Sequence, residues 1–232
     1  MSEYPTPVEP SMGIGVVHLF GKLSPVDDIL DFKRDIKRAV KAAEASGVQV
    51  VTVAVLGHKA DIAFMALHAD LWELRDFQTA LSQACLDIVD SYVSLTELSE
   101  YAAGLPEETK QARLYPQLPP EGKPAWCFYP MSKRRNPEQN WYELPFERRR
   151  ELMYEHGATG RTFAGRVLQL ITGSTGIDDY EWGVTLFCEH PDDLKEVVYT
   201  MRYDEASARY AEFGPFYTGM VAPIDEVLNQ LL

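Results

Sequence analysis

Cysteine is scarce in this chain: three residues in 232, Cys85, Cys127 and Cys188, all far apart. That spacing argues against a disulfide scaffold and suits a reducing compartment. No C-x-x-C pair is present to hold zinc, and no C-x-x-C-H to attach a haem covalently. Long apolar runs are also missing. The longest, VQVVTVAVL at residues 48–56, is far too short to span a bilayer. The first ten residues, MSEYPTPVEP, have neither the basic start nor the apolar stretch of a secretory signal. Basic charge is in deficit, with 22 Lys and Arg against 35 Asp and Glu and a formal net charge of -13. Nucleic acid demands the opposite balance. These absences predict a cytoplasmic protein.

What is present is an ordinary globular composition, 46% hydrophobic and 25% charged, long enough for one large domain or two small ones. Residues 14–20 read as a strand ending at Gly21. Ser24-Pro25 with Asp27 signals a helix start, and Gly47 its stop. Between them Ile29, Phe32, Ile36, Ala39, Val40 and Ala43 fall on one face at helical spacing. Residues 48–55 and 61–67 read as strands. Asp70 caps a helix carrying Leu71, Leu74, Phe77 and Leu81, and residues 87–101 read as another strand. The order is β-α-β-β-α-β, a ferredoxin-like unit over residues 1–101. Glycines, prolines and charges make residues 102–123 a long connection. The same order then returns over 124–232: strand 124–131, helix 145–156, strands 166–172 and 181–188, a helix opened by His190-Pro191, and a last strand 213–221. The expected fold is α+β, two such units joined into an antiparallel β-barrel with helices outside.

The chemistry gathers between Ala125 and Gln169, where Tyr129, His156 and Gln169 are expected to edge one pocket. His156 shares a helix face with Leu152 and Met153, and Gly157 is expected to end that helix beside it. Such a helix end favours imidazolium, whereas iron needs neutral imidazole. From spacing alone, a hydrogen-bonded core histidine and an iron ligand fit equally well. His18 and His68 lie in or beside strands, and His58 and His190 beside turns, all four with the bland reading. Tyr129, closing an apolar strand, reads first as core packing with a satisfied hydroxyl. Lys133, Arg134, Arg135 and Arg148, Arg149, Arg150 form a basic island that is mostly solvated face, with Lys133 nearest Tyr129. No Ser-His-Asp arrangement or dinucleotide fingerprint is present.

At YPMSKRR, NWYELPFERRRELMYEHGATGR, QLITGSTGIDDYEWGVTLF and YTMRYDEASARYAEFGPFYTG the sequence resembles the chlorite dismutase family, and within it the members that decarboxylate coproheme. The resemblance implies haem in the C-terminal half, a homopentamer, and His156 as the proximal iron ligand. It implies that Tyr129 is oxidised beside a propionate, with Met131 and Lys133 flanking the reacting groups and Gln169 on the distal side. Arg113, Met201 and Ser207 would line the porphyrin pocket. The implied reaction turns propionates 2 and 4 of iron coproporphyrin III into vinyls with hydrogen peroxide as oxidant, giving haem b. A coproporphyrin ferrochelatase is the implied transient partner that delivers substrate. Tyr180 in IDDYEWG departs from the tryptophan common there, while Trp182 stays in place. Chlorite dismutation, the rival activity, uses a distal arginine where this chain has Gln169. A haem carrier or sensor without turnover is the reading from a different class.

Overall fold

The computed structural model describes residues 8–23 and 28–231. In chain order these form β1 (Gly15–Leu23), α1 (Ile29–Ala45), β2 (Gln49–Leu56), β3 (Ile62–His68), α2 (Leu71–Gln83), β4 (Leu86–Thr96) and α3 (Glu107–Leu114). There follow β5 (Ala125–Lys133), a small hairpin of β6 (Arg135–Asn136) and β7 (Gln139–Asn140), α4 (Phe146–Arg161), β8 (Val167–Gly173) and β9 (Trp182–Cys188). The last elements are α5 (Pro191–Met201), α6 (Glu205–Ala208), β10 (Ala211–Phe213), β11 (Tyr217–Val221) and α7 (Ile224–Leu231).

Strand β1 is buried on both faces because alternate side chains enter different apolar clusters. Val17 and Leu19 join Phe32, Ile36 and Val40 of α1 and Leu74, Phe77 and Leu81 of α2. Val16 and Phe20 point the other way, to Val51, Val53, Met65, Trp126, Phe128 and Phe187. Neighbouring strands run β10-β5-β11-β2-β3-β1-β4-β8-β9, antiparallel throughout, and β9 also pairs with β5. The pairings therefore return to β5. The two halves join twice: β11 pairs with β2 from Thr218↔Leu56 to Val221↔Val53, while the second joint is thin, β4 meeting β8 through only Leu95↔Gly173 and Thr96↔Thr172. Among the described residues no helix is long and apolar enough to cross a membrane.

Several boundaries differ from expectation. The helix start at Ser24-Pro25 and Asp27 lies outside the described residues; within them Asp28 caps α1, accepting from the Leu30 and Asp31 N–H groups. Strand β4 stops at Thr96, and the connection after it contains α3. Its cues were Glu107 and Glu108 in the first turn and Arg113 in the last, but with only Leu114 buried it has no apolar period to read. Gly157 does not end α4. It lacks the positive φ of a helix stop, and the helix continues to Arg161. The expected strand over 213–221 is two, β10 and β11, broken at Gly214-Pro215. There the Gly214 N–H donates to the Pro130 carbonyl, where a side chain would strike Pro130 and Tyr180. Helix α7 was not anticipated; it covers the first cluster with Ile224, Val227 and Leu228.

His18 sits in the second cluster's neighbourhood, stacked on Phe128 at 4.1 Å with Nε2 3.0 Å from Thr185 Oγ1. Burial pushes its pKa down to about 3. Above its ordinary value the ring is neutral in both folded and unfolded chains. Below it, the unfolded chain takes up a proton that the folded chain refuses. Stability is therefore expected to fall as pH drops from about 6.5 toward 3, at up to roughly 1.4 kcal/mol per pH unit from this group. Urea midpoints measured across that range should slope less steeply in His18→Gln than in the parent; equal slopes would refute the assignment. His58 and His190 are exposed.

Candidate active site

Alternation along β5 separates packing from chemistry. Trp126 and Phe128 point into the second cluster, whereas Cys127 and Tyr129 join Val184 and Leu186 of β9 and Leu194, Val197 and Met201 of α5. Met131 packs against that third cluster. Register sets three rows across β5, β9 and β8: Cys127, Leu186 and Gln169; Tyr129, Val184 and Ile171; Met131, Trp182 and Gly173. Directly paired residues of antiparallel strands point to one face, as do positions two apart. Tyr129, Met131, Lys133 and Gln169 therefore share one face of the sheet. Gln169 and Ile171 are exposed on it.

The Lys133 end of this face is a polar knot. Lys133 is 9% exposed, donates from Nζ to the Ala206 carbonyl at 2.8 Å, and lies over the Trp141 ring at 4.4 Å. Burial pushes its ammonium down to about 8, with Glu181 opposing. Glu181 accepts the Lys133 backbone N–H at 2.8 Å and pairs with Arg135. A cavity of about 310 Å³ opens beside these residues, lined also by Ser132, Thr175 and Tyr180.

His156 approaches the same end from α4. Its Nδ1 lies 3.1 Å from Asp204 Oδ2, and Thr159 Oγ1 donates to the other carboxylate oxygen at 2.9 Å. An ionised carboxylate only accepts, so Nδ1 carries the proton and Nε2 keeps its lone pair. Burial lowers the imidazole pKa, the Lys133 charge lowers it further, and Asp204 opposes both. Because α4 runs on to Arg161, His156 is inside the helix and escapes the end effect expected from Gly157.

Tyr129 is buried, stacked on Phe216 at 4.4 Å and edge-on to Phe213 at 5.5 Å, and burial raises its phenol pKa well above the usual value. Met201 is buried in the third cluster. Ser207 is half-buried on α6, its N–H donating 2.9 Å to the Asp204 carbonyl, in the turn that presents Asp204. Arg113 is exposed on the last turn of α3, and among the described residues it makes no hydrogen bond or ion pair with Tyr129, Lys133 or His156.

Pattern reading missed Asp204, Trp141, Glu181 and Phe216. Asp204 follows His156 by 48 residues, and its only sequence signal was its place in YTMRYDEASARYAEFGPFYTG. No group of three or more His, Cys, Asp or Glu among the described residues could hold a bare metal ion. One oriented imidazole is the donor set that suits a metalloporphyrin, whose own nitrogens supply the remaining ligands. Exposed Ile171, Phe213 and Phe216 offer apolar surface, and Lys133 a cation for carboxylates.

Comparison with known proteins bears on this geometry. Coproheme decarboxylase of Staphylococcus carnosus is 49% identical over 181 residues, covering 73% of this chain and 71% of that protein. Coproheme decarboxylase of Staphylococcus saprophyticus is 46% identical over 185 residues, 75% of this chain and 73% of that protein. A solved heme-binding protein from Thermus thermophilus superposes with a TM-score of 0.87 at 37% identity, covering 98% of this chain and 99% of that one. Residues 30–222 match the family described as chlorite dismutase, and with relatives this similar over this much of its length, the chain belongs to that family.

Proposed function

We propose that the protein carries out the hydrogen-peroxide-dependent decarboxylation of iron coproporphyrin III, converting propionates 2 and 4 to vinyls and giving haem b. The observation that carries this reading is an imidazole oriented by Asp204 at the end of a sheet face that also bears Tyr129, Met131, Lys133 and Gln169. The identities to two coproheme decarboxylases support it.

Each propionate that becomes a vinyl loses carbon dioxide, one proton and two electrons. Peroxide takes up two electrons and two protons to become water, so each step consumes one proton overall. Bound iron porphyrin supplies the oxidising power once peroxide arrives. In this scheme His156 Nε2 binds iron, and Asp204 holds the ring in that tautomer. Tyr129 gives up an electron and a proton to the peroxide-derived oxidant and regains a hydrogen atom from the propionate β-carbon; the second electron passes to the same oxidant as carbon dioxide leaves. Lys133 anchors a reacting carboxylate and supplies the proton consumed. Met131, Met201, Ser207 and Arg113 are assigned to the pocket wall and the remaining propionates, and Gln169 to the side opposite His156. An uncharged Gln169 has no means of holding chlorite as an arginine would. We also assign the strand circuit to a barrel of two ferredoxin-like units (1–101 and 124–232, joined by 102–123), the assembly to a homopentamer, the location to the cytoplasm, and substrate delivery to a coproporphyrin ferrochelatase.

Mass spectrometry of iron coproporphyrin III mixed with protein and titrated with peroxide tests the reaction. Two successive losses, ending at haem b after about two equivalents of peroxide per porphyrin, are expected; porphyrin bleached without any vinyl product would overturn the reading. Lys133→Ala should keep part of the first step and accumulate the three-propionate intermediate. Oxygen electrode measurements with chlorite should show little gas, and sustained evolution would favour the rival activity. Light scattering should give five times the chain mass; a stable monomer at micromolar concentration would remove the ring.

A further inference from the structure

The row Met131, Trp182 and Gly173 lies on the face assigned above to the porphyrin, and its last member has no side chain. The space is filled from elsewhere. Glu97, the first residue beyond β4, lays its carboxylate over Gly173, where any Cβ would overlap it. The same carboxylate accepts the Trp182 indole N–H, Nε1 to Oε1, at 3.0 Å. Three positions must agree for this contact: an acid at 97, an indole at 182 and a bare backbone at 173. They sit at the thin β4–β8 joint, so the two halves of the chain fix the indole between them.

We propose that Glu97 is a positioning residue that sets the orientation of the Trp182 ring as a wall for the flat face or edge of the macrocycle. This rests on the porphyrin reading of the site and adds to it a residue from the first half of the chain. An indole on a half-buried strand position has two torsions to settle, and one hydrogen bond to a fixed acceptor selects among them. Glu97 touches neither iron nor the reacting carboxylates in this arrangement; it acts through Trp182.

The test uses the full chain and zinc coproporphyrin III, a porphyrin with no peroxide chemistry, followed by its fluorescence. Glu97→Ala is expected to weaken binding about tenfold, and Glu97→Gln, which keeps an acceptor of the same reach, to stay within about twofold of the parent. Ultraviolet resonance Raman, with Trp182→Phe subtracted to isolate the ring, should show the indole N–H band shift in Glu97→Ala and hold in Glu97→Gln. Gly173→Ala, which displaces the carboxylate without altering it, should reproduce the Glu97→Ala band. Parent-like binding and an unmoved band in Glu97→Ala, while the parent still converts iron coproporphyrin III, would overturn this inference alone. An equal loss in Glu97→Gln would assign the effect to charge and also overturn it. Failure of the parent itself to bind the zinc porphyrin would overturn both this inference and the porphyrin reading.

Discussion

Tyr129→Phe is expected to bind iron coproporphyrin III about as tightly as the parent and to release almost no carbon dioxide from it. The substitution keeps the ring, and with it the stacking on Phe216 and the edge contact with Phe213. The third cluster keeps its volume, so fold and pocket shape persist. Only the hydroxyl is lost, worth roughly 1 kcal/mol in binding if it meets a propionate. Catalysis loses far more. No acid or base near neutral pH removes a hydrogen from the β-carbon of a propionate, so the step needs a one-electron relay, and phenylalanine is not one. Burial also holds the phenol neutral, so Tyr129 still carries the proton it must give up along with its electron. A drop in turnover of on the order of a hundredfold or more, the scale of losing a proton-transferring catalytic group, is expected under limiting peroxide. Haem b formed by Tyr129→Phe at the parental rate would show that the hydrogen atom leaves by another route.

Strand β5 was legible because its apolar run is local in the chain; its division into a packing face and a chemical face needed the register, since Ala125 to Met131 is apolar on both sides. Helices α1, α2 and α5 were legible for the same kind of reason: their buried residues recur at helical spacing, and Asp70 and Gly47 mark ends by local chemistry. What escaped notice depended on partners far along the chain. Helix α3 buries only Leu114, and α6 is one turn held by its place beside α4. Gly157 looked like a stop because glycine permits the left-handed turn, but permission is not requirement, and the helix passed through it. Within the site, Tyr129, Lys133 and Gln169 could be aligned from strand phase once register was known. Asp204 and Glu97 could not, since a carboxylate on a loop carries no periodicity and its partner is set by the tertiary fold. Arg113 marks the converse case: the family resemblance points to it, while its exposed place on α3 offers no local pattern that would single it out.

Replacing His156 with alanine should weaken porphyrin binding sharply and alter the ferric absorption spectrum, while the circular dichroism of the fold remains. The ring is only part-buried, with 23% of its side chain exposed, and it sits on a helix that alanine favours, so little packing is lost. Exogenous imidazole, entering the space left behind, should restore part of the spectrum. A companion change separates ligand from support. Asp204→Ala leaves Nε2 in place but frees Nδ1 and the ring's tautomer, and losses at such supporting positions are typically about 10- to 100-fold. Asp204→Asn should fall between, because an amide still accepts from Nδ1–H but lacks the charge that strengthens the ligand. Asp204 also takes the Thr159 hydroxyl, so Thr159→Val offers a control that disturbs the carboxylate without touching the imidazole. The expected order of affinity is parent, Thr159→Val, Asp204→Asn, Asp204→Ala, His156→Ala. If His156→Ala keeps the parental spectrum and full activity, the iron is held elsewhere, and the imidazole on α4 is a packing residue with a well-placed hydrogen bond.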